Sequence, residues 1–437
     1  MSFFSGREFI SQRWSFRTGY TLRILHIIAT LDHQAGGPSN SIRRIIAAYS
    51  SIGSEGEVLT LDDPAAPFLE NIGFTVHALG PISMRYGYNS RLIPWLRANR
   101  NRFDGVVIHG LWQYIGWAVR RAIHPYKPYL VFTHGMLDPY FKRAYPLKHL
   151  KKIPYWLLNE YWVLRDANRV LFTSEDEADQ ATRSFSPRRW NACVVPYGAS
   201  APEVDAITAR NSFLEAFPAL RAADGSARPY ILFLGRIHAK KGCDLLLEAF
   251  AHIAEKAPEL HLVFAGPDKV GTGHQGDSSN QGLKARLMEQ AAAKGIGHRV
   301  HWTGMLYGDQ KWGAFYGCEA FTLPSHQENF GIAVAEALAC GKPVLISDKV
   351  NIWQDIVRDG AAFVGPDTIA GTQRTLEDWI ALTPAQKITM GAYAFDCFRR
   401  RYDMKANASG IVDIFSRALS TPEAMSTILP KAKANAL

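Results

Sequence analysis

The chain has 437 residues, of which 47% are hydrophobic and 20% charged, as is typical of a globular protein. That length exceeds one ordinary hydrophobic core, so we expect two domains. The net charge of +9 favours anionic partners such as nucleotide phosphates, anionic lipid or nucleic acid. Because the sequence has no RNP, helix-turn-helix or zinc-finger pattern, we expect no nucleic-acid partner.

The cysteines and the apolar runs bear on where the protein works. The five cysteines are far apart and form no C-x-x-C motif, which argues against a disulfide or metal framework and fits a reducing cytosol. No apolar run is as long as a membrane span. Residues 1–20 contain Arg7, Arg13 and Arg17 without a continuous apolar segment, so we interpret them as an extension and not as a signal peptide.

The first half of the chain alternates short apolar runs with helical patterns. Such alternation predicts βαβ units and a parallel sheet. The predicted strands are residues 23–29, 57–61, 74–79, 105–109, 129–133 and 169–173.

A glycine pair, Gly36 and Gly37, lies between the first predicted strand and a predicted helix at 40–50. A glycine pair ahead of a helix start can bind an anion, and it can also simply form a tight turn. The pattern is neither the G-x-G-x-x-G fingerprint nor a P-loop.

Two of these strands end in the same dipeptide, His109-Gly110 and His134-Gly135. In open parallel sheets, ligands bind at the carboxyl ends of strands, which makes both histidines candidates for a site. For His109 a role in core packing is an equal alternative.

A basic stretch lies at residues 142–152, with Lys142, Arg143, Lys148, Lys151 and Lys152 and no acidic residue. Aromatic and apolar residues follow it. This combination suits an anionic membrane surface or a lipid-linked anionic acceptor. The alternative is a solvated basic loop that leads into a core helix. A proline at position 154 would break a single long amphipathic helix.

The second half begins after a stretch at 198–229 that is richer in Ala, Arg and Pro, which we interpret as a linker that could contain one helix. Further strands are predicted at 230–235, 261–266, 300–304, 320–324 and 343–347. Three of them end in glycine, and strand ends without side chains let a flat ligand such as a nucleobase approach the backbone.

Two cations, Arg236 and Lys241, follow the strand that begins at Tyr230 and precede a predicted helix at 243–255. Cations at a strand end beside a helix start can neutralise a leaving diphosphate. A solvated basic turn is the alternative, and it suits Lys240 better than this pair.

The stretch from Ser325 to Gly341 is predicted to be a loop that opens a helix, and that helix is apolar on every side except at Glu336. An all-apolar helix is a buried one, and a buried carboxylate needs a hydrogen-bonding partner. The partner is either a distant basic side chain or a ligand rich in hydroxyls. Glu328, eight positions earlier, favours the ligand, because the two carboxylates would be about 12 Å apart along a helix. A diphosphate would then meet the helix N-terminus, where Gly331 allows close approach.

The segment Glu328-x7-Glu336, with Phe330-Gly331 inside it and a strand on either side, resembles the E-x7-E signature of GT-B glycosyltransferases. The resemblance is greatest to the retaining family 4 (group 1) enzymes, and it extends from about residue 23 to residue 419. It implies an α/β fold of two Rossmann-like domains that face each other across a deep cleft.

The resemblance also implies the domain limits. Residues 21–200 would form the acceptor-side domain, joined by a C-terminal helix at 401–420 that crosses back to it. Residues 201–400 would form the donor-binding domain, and 421–437 a tail.

The resemblance assigns roles residue by residue. Glu336 would hold the donor ribose, and Glu328 would hold the donor sugar together with the backbone of the three residues that follow it. Arg236 and Lys241 would bind the diphosphate, and His134 would lie near the reacting sugar. The remaining implied contacts are Asn329, Phe330 and Gly331 at the sugar, Gly266, Met305 and Leu306 at the base, and Gly36, Gly37 and His109 near the acceptor and diphosphate.

We therefore expect a hexosyltransferase that uses a nucleotide-diphosphate sugar, with GDP-mannose as the leading donor. The acceptor would be a saccharide or lipid-linked molecule in cell-surface polysaccharide synthesis, and the resemblance implies retention of configuration. Alternatives are a nucleotide-sugar epimerase and a non-catalytic nucleotide-sugar-binding protein. The expected location is cytoplasmic, with peripheral contact at the inner face of the membrane.

We expect neither a cofactor nor a metal. No D-x-D motif ends a strand, since Asp62 and Asp63 are adjacent. Arg236, Lys241 and a helix N-terminus would then do what Mg²⁺ does in other transferases.

Overall fold

The computed structural model describes residues 21–32, 37–82, 86–140, 142, 146–268 and 282–420. Gly36, Arg143, most of the 267–281 loop, the extension at 1–20 and the tail at 421–437 lie outside the described residues. The chain divides into two compact units, one formed by Met1–Gly198 with Met404–Leu437 and the other by Ala199–Asp403.

The described part of the first unit contains a parallel sheet of seven strands in the order β3-β2-β1-β4-β5-β6-β7. The strands are β1 (Arg23–Ile28), β2 (Glu55–Thr60), β3 (Val76–Ala78), β4 (Gly105–His109), β5 (Tyr129–Phe132), β6 (Arg169–Phe172) and β7 (Ala192–Val194). The central strands β4 and β5 are buried along their whole length. Near-continuous apolar strands are expected where helices cover both faces of a parallel sheet.

The helices of the first unit pack against this sheet. They are α1 (Gly37–Ser51), α2 (Leu92–Asn99), α3 (Tyr114–Ile123), α4 (Pro146–Tyr155), α5 (Tyr161–Asp166), α6 (Glu175–Ala181) and α15 (Met404–Leu419), with a π-helical turn at Trp156–Glu160. The last helix, α15, buries Ile411 and Phe415 in the same core as Ile24 of β1 and Val107 of β4. The expected return of the C-terminal helix to the first unit is therefore confirmed.

The second unit contains, among its described residues, a parallel sheet of six strands in the order β10-β9-β8-β11-β12-β13. Its strands are β8 (Tyr230–Leu234), β9 (His261–Ala265), β10 (Val300–Gly304), β11 (Ala320–Leu323), β12 (Val344–Ser347) and β13 (Ala362–Gly365). Its helices are α7 (Ala206–Ala216), α8 (Cys243–Ile253), α9 (Leu283–Ala293), α10 (Gly308–Gly317), α11 (Ile332–Ala339), α12 (Trp353–Arg358), α13 (Ile369–Ile380) and α14 (Pro384–Cys397). Short 3₁₀ turns of the second unit lie at Pro218–Leu220, Ala239–Lys241 and Gly297–Arg299, and those of the first unit lie at Pro67–Leu69 and Arg100–Arg102. The prediction of two Rossmann-like α/β domains is confirmed.

Two strands, β7 and β13, were not predicted from the sequence. Each lies at the edge of its sheet, is three or four residues long and is only partly buried. A short edge strand needs no long apolar run, so it lacks the signal by which central strands are recognised.

The segment predicted to be a linker at 198–229 instead belongs almost entirely to the second unit. Within it, α7 packs closely on α10. A side chain at Gly313 of α10 would place its Cβ 2.0 Å from the carbonyl oxygen of Ala209 in α7. Tertiary packing at a glycine, which short-range patterns do not reveal, brings this segment into the second core.

As expected, no single α-helix runs through the segment around Pro154. Helix α4 includes Pro154 and ends one residue later, at Tyr155, and the π-helical turn follows directly. Among the described residues, no helix is both long and apolar enough to cross a bilayer.

Candidate functional site

In the second unit, β8 and β11 lie side by side at the point where the strand order reverses. In open parallel sheets the crevice beyond the carboxyl ends of two such strands is the usual ligand site. The loops after β8 and β11 touch there. Gly242, at φ +67°, has no room for a Cβ, which would lie 2.1 Å from the carbonyl oxygen of Pro324. The backbone N–H of His326 also donates to the Lys240 carbonyl at 2.9 Å.

Two predicted site residues meet across these loops. The ammonium group of Lys241 donates to Oε2 of Glu328, and their side chains are 17% and 21% exposed. The sequence had assigned them to different parts of a donor, whereas the structure joins them in one ion pair. Arg236, beyond the end of β8, is exposed to solvent. The end of the sheet therefore has an ion pair, and a second, solvent-exposed cation follows β8.

The second carboxylate of the motif, Glu336, lies within α11, where its side chain is only 3% exposed. Its Oε1 accepts a hydrogen bond of 2.7 Å from Nζ of Lys311 in α10. Lys311 also lies over the ring of Trp312, 4.6 Å from the ring centroid. Of the two partners considered from the sequence, a distant basic side chain is thus present. The role of Glu336 toward a ribose stays a prediction.

Sequence reasoning missed Lys311 because it belongs to another helix. The available signal was indirect, since a buried carboxylate in an apolar helix requires a cation or several donors. That requirement shows that a partner exists without showing where it lies in the chain.

The residues between the two carboxylates lead into α11 and are held by contacts with neighbouring segments. Gly331 caps the helix at φ +76°, a conformation that favours glycine. Phe330 is buried and packs edge-on against Tyr402. Asn329 approaches Asn351 at 3.5 Å through their side-chain amides. The loop is therefore held from both sides.

The predicted base-binding residues lie at the carboxyl ends of β9 and β10. Gly266, at φ +141°, would place a Cβ 1.9 Å from the carbonyl oxygen of Gly235, so packing alone already requires glycine there. Its N–H donates to the Gly304 carbonyl at 2.7 Å. Met305 is half exposed next to this edge, and Leu306 is buried. The edge offers bare backbone beside an exposed thioether, where a flat ring can lie.

In the first unit the strand order reverses between β1 and β4. The described residue of the predicted glycine pair, Gly37, begins α1, and apart from its chain neighbours and the backbone of its own helix no atom of the described residues lies within 4 Å of the position that a Cβ would take there. His134 follows β5 with φ +52°, an unusual conformation for a residue with a side chain. The carboxylate of Glu177 holds this turn, accepting hydrogen bonds from Thr133 Oγ1 at 2.7 Å and from Gly135 N at 2.6 Å. Strained turns of this kind are frequent at functional sites.

Both predicted histidines belong to a line of hydrogen-bonded rings. His109 Nδ1 lies 3.0 Å from His134 Nε2, and His109 Nε2 lies 2.8 Å from Nδ1 of His26 in β1. Beyond His26, its Nε2 lies 3.0 Å from the hydroxyl of Tyr49, and at the other end His134 Nδ1 contacts the hydroxyl of Tyr197. Both ring nitrogens of His134 are therefore engaged within the protein.

Burial controls the charge state of these histidines. Desolvation lowers the pKa of His26 and of His134 to about 3, and it lowers the pKa of His109 well below the ordinary value, assisted by the two neighbouring histidines. All three rings are neutral near pH 7. Sequence reasoning missed His26, although a lone histidine in the apolar run of β1 was a usable signal.

The predicted basic segment forms α4 in the described structure. It exposes two leucines: Leu147 is 76% exposed and Leu150 is 62% exposed. Lys148 and Lys151 are exposed on the same helix. Lys152 instead lies over the ring of Trp112, 4.2 Å from its centroid. The helix thus presents apolar and cationic side chains together.

The described residues include no group of three or more His, Cys, Asp or Glu side chains arranged to hold a metal ion. The predicted donor residues lie in the second unit and the predicted histidines in the first.

Two family models match this chain. The family described as glycosyl transferases group 1 matches residues 219–391, and the one described as a glycosyl transferase 4-like domain matches residues 36–198. The two matched segments correspond to the second and first units.

Curated relatives are similar to this chain over about half of their own length. A D-inositol 3-phosphate glycosyltransferase of Streptomyces avermitilis is 28% identical over 270 residues, which is 60% of this chain and 54% of the relative. The protein of the same name from Geodermatophilus obscurus is 31% identical over 212 residues, 48% of this chain and 44% of the relative. The chain thus spans about half the length of the curated relatives it matches.

Solved structures match over nearly the whole chain. Sucrose-phosphate synthase from Thermosynechococcus elongatus superposes with a TM-score of 0.67 at 19% identity, covering 91% of this chain and 99% of that one. Anabaena HepE in complex with UDP-glucose has a TM-score of 0.66 at 15% identity, covering 91% of this chain and 100% of that one. At these identities the likeness concerns the fold.

Proposed function

The chain belongs to the group 1 glycosyl transferases, and from this premise we propose that it transfers a hexose from a nucleotide-diphosphate sugar to a saccharide or lipid-linked acceptor. The pathway we propose is cell-surface polysaccharide synthesis. The observation that carries the proposal is the Lys241–Glu328 pair at the strand-order reversal of the second sheet. A cation and a carboxylate at this point suit a ligand that has both phosphates and hydroxyls.

The diphosphate of a bound donor would replace Glu328 as the partner of Lys241. Lys241 and the exposed Arg236 would bind the phosphate oxygens, assisted by the N-terminus of α8, which starts after Gly242. Once Lys241 has turned to the phosphates, the carboxylate of Glu328 is available to accept hydrogen bonds from sugar hydroxyls. Glu336 would accept hydrogen bonds from the ribose.

The transfer breaks the bond between the anomeric carbon and the diphosphate oxygen, and negative charge builds up on that oxygen. Fixed cations stabilise such charge, which supports a metal-independent reaction. We propose retention of configuration on the basis of the family. For the donor, GDP-mannose is our first candidate, and UDP-glucose is the second because a structure of similar fold contains it.

We further propose that the protein binds peripherally to the anionic inner face of the membrane through α4. The exposed leucines and lysines of that helix support this, because such a combination adsorbs to anionic interfaces. Binding there would bring the enzyme close to a lipid-linked acceptor.

A thermal-shift screen tests the donor class. A ligand that binds only the native protein raises its midpoint of unfolding, so GDP, UDP, GDP-mannose and UDP-glucose are compared at equal concentration. Lys241→Ala should abolish most of the shift. The matched control is Lys387→Ala, which removes a cation paired with Glu319 at 2.6 Å in the same unit. If Lys241→Ala responds like wild type, the assignment of the diphosphate site fails.

Product analysis then tests the reaction. With the donor that binds, transfer to an added saccharide should continue in excess EDTA. Complete loss that Mg²⁺ or Mn²⁺ restores would contradict the metal-independent mechanism, and isomerisation of the donor without transfer would indicate an epimerase.

A further inference from the structure

Five buried or half-buried side chains of the first unit form an unbroken line of hydrogen bonds across β1, β4 and β5. We call them the histidine chain, which consists in order of Tyr49, His26, His109, His134 and Tyr197. The strand order places β1 beside β4 and β4 beside β5, so each histidine faces the next. The rings lie edge to edge in nearly parallel planes, with interplanar angles of 26° and 15° and centroids of consecutive histidines 5.1 and 5.2 Å apart.

Proton counting constrains this chain. A neutral imidazole carries one N–H and one acceptor nitrogen, so a ring bonded on both sides donates on one side and accepts on the other. In a row of three neutral histidines, every hydrogen bond must then point the same way. Either all three rings carry their proton on Nδ1, or all three carry it on Nε2. The tautomers of His26 and His134 are therefore coupled through His109.

The tyrosine ends decide between the two directions. Tyr49 is fully buried, burial raises the pKa of its phenol, and its hydroxyl has no other hydrogen bond in the described part of the chain. If Tyr49 accepted from His26, its own hydroxyl proton would be buried without a partner, which is costly. If Tyr49 donates to His26 Nε2, that cost disappears. At the other end, the Tyr197 oxygen can accept from His134, because a phenol oxygen carries acceptor lone pairs. Tyr197 keeps 8% of its surface accessible, whereas Tyr49 keeps none, so an unpaired hydroxyl proton costs less at Tyr197 than at Tyr49.

We propose that the histidine chain is directional, running from Tyr49 to Tyr197, and that Tyr49 thereby sets which ring nitrogen of His134 carries the proton. All three histidines are Nδ1–H tautomers, and His134 donates from Nδ1 to Tyr197 while its Nε2 accepts from His109. Tyr49, His26 and His109 are positioning residues that act through His134. The functional importance of this arrangement rests on the proposed function, together with the role near the reacting sugar that the family resemblance implies for His134.

Nuclear magnetic resonance of protein labelled with ¹⁵N in the histidine rings tests this directly. Couplings across the N–H···N bonds identify the three linked rings among the 14 histidines of the chain without any substitution. The proton-to-nitrogen correlation pattern of each ring then reports its tautomer. We expect Nδ1–H at all three, and an Nε2–H tautomer at His134 in the wild-type protein would overturn the proposal.

Two variants test the direction. Tyr49→Phe removes the donor at the start of the chain, so His134 should lose its single Nδ1–H tautomer although two rings separate it from the substitution. Tyr197→Phe removes only the terminal acceptor and should leave Nδ1–H at His26 and His109. The control is Tyr129→Phe, which deletes another buried hydroxyl of the first unit, one that donates to the Val163 carbonyl at 2.6 Å.

An unchanged tautomer at His134 in Tyr49→Phe, or equal effects of the Tyr49 and Tyr197 variants, would overturn the proposal. These measurements use ligand-free protein and residues of the first unit. A failure here therefore leaves the nucleotide-binding test at Lys241 intact, and a failure of that test leaves the tautomers unaffected.

Discussion

At the scale of single residues, the two motif carboxylates have different surroundings although only seven residues separate them. Glu328 is partly accessible and paired with Lys241, whereas Glu336 is almost fully buried and paired with Lys311. Removing the charge of a buried, paired carboxylate leaves its partner uncompensated, and removing that of an accessible one costs less. Their substitutions should therefore have separable effects on ligand binding.

Glu336→Gln should weaken binding of both the free nucleoside diphosphate and the intact donor, on the order of tenfold, as expected for loss of charge-assisted hydrogen bonds. Glu328→Gln should leave binding of the free nucleotide intact, because it also releases Lys241 for the phosphates, while it lowers the rate of transfer. Calorimetry with the free nucleotide, together with steady-state rates, measures both quantities.

The control for this pair is Glu319→Gln, which breaks a comparable ion pair with Lys387 in the same unit, just before the amino end of β11. It should change neither nucleotide binding nor turnover. If Glu328→Gln damages binding of the free nucleotide as much as Glu336→Gln does, the two carboxylates do not divide the donor as proposed.

A third carboxylate, Glu160, makes stability depend on pH. Its side chain is buried in the first unit, burial raises its pKa from 4.5 to about 7, and a hydrogen bond from the Trp112 backbone and the charge of Lys152 only partly oppose this. Between about pH 4.5 and 7 the folded protein retains a proton that the unfolded chain has released. The free energy of unfolding should therefore fall as pH rises through this window.

Glu160→Gln should remove this dependence, since the amide oxygen can still accept from the Trp112 N–H. Between pH 4.5 and pH 8, the free energy of unfolding of the wild type should fall by about 3 kcal/mol relative to that of the variant. Urea denaturation at several pH values measures the difference. The control is Glu70→Gln, at an exposed position of the same unit, and its free energy of unfolding should change with pH as that of the wild type does. The same pH dependence in Glu160→Gln as in the wild type would contradict the prediction.

At the scale of elements, α4 stands out because its exposed side chains are both apolar and basic. Each basic residue near an anionic bilayer contributes about 1 kcal/mol, and salt screens that contribution. The exposed Lys148 and Lys151 are therefore the residues by which a membrane role can be tested.

The double variant Lys148→Gln/Lys151→Gln should bind phosphatidylglycerol vesicles roughly thirtyfold more weakly than wild type, as loss of about 2 kcal/mol implies. Lys256→Gln/Lys405→Gln removes the same net charge elsewhere and should have little effect. Vesicle sedimentation measures both. Equal binding of wild type to phosphatidylglycerol and phosphatidylcholine vesicles, or binding to neither, would rule out the proposed contact.

The central strands and their helices could be predicted because long apolar runs and 3.6-residue periodicity are local signals. The edge strands β7 and β13 could not be predicted, because they are short and only partly buried. The stretch at 198–229 was expected to be able to contain one helix, and α7 lies within it. Its packing on α10 depends on Gly313, and close packing at a glycine has no periodic signal.

At the scale of the whole molecule, the chain forms two compact units, and the first is completed by a helix from the far end of the sequence. Phe415 of α15 is fully buried, and its ring fills the space in which a side chain at Gly105 of β4 would lie. The first unit should therefore depend on α15 for its stability, whereas the second should not.

Phe415→Ala should destabilise the first unit by about 3–5 kcal/mol through loss of burial and creation of a cavity. Hydrogen exchange, measured separately over β4 and β8, should show faster exchange in β4 alone. Phe213→Ala, which empties an equally buried site in the second unit, should have the reverse effect. Equal acceleration in both strands after either substitution would mean that the units do not unfold separately.

The sequence by itself determined the α/β class, the central strands, and the motif from Glu328 to Glu336, because each depends on neighbours within a few residues. Only the tertiary structure decided the partners: Lys241 for Glu328, Lys311 for Glu336, and His26 and Tyr49 behind His109 and His134. The Lys241 and histidine contacts follow from strand order, which places β8 beside β11 and β1 beside β4, whereas Lys311 contacts Glu336 from one helix to another. Alternation of strands and helices is compatible with several strand orders, and the order is selected by burial summed over each whole unit.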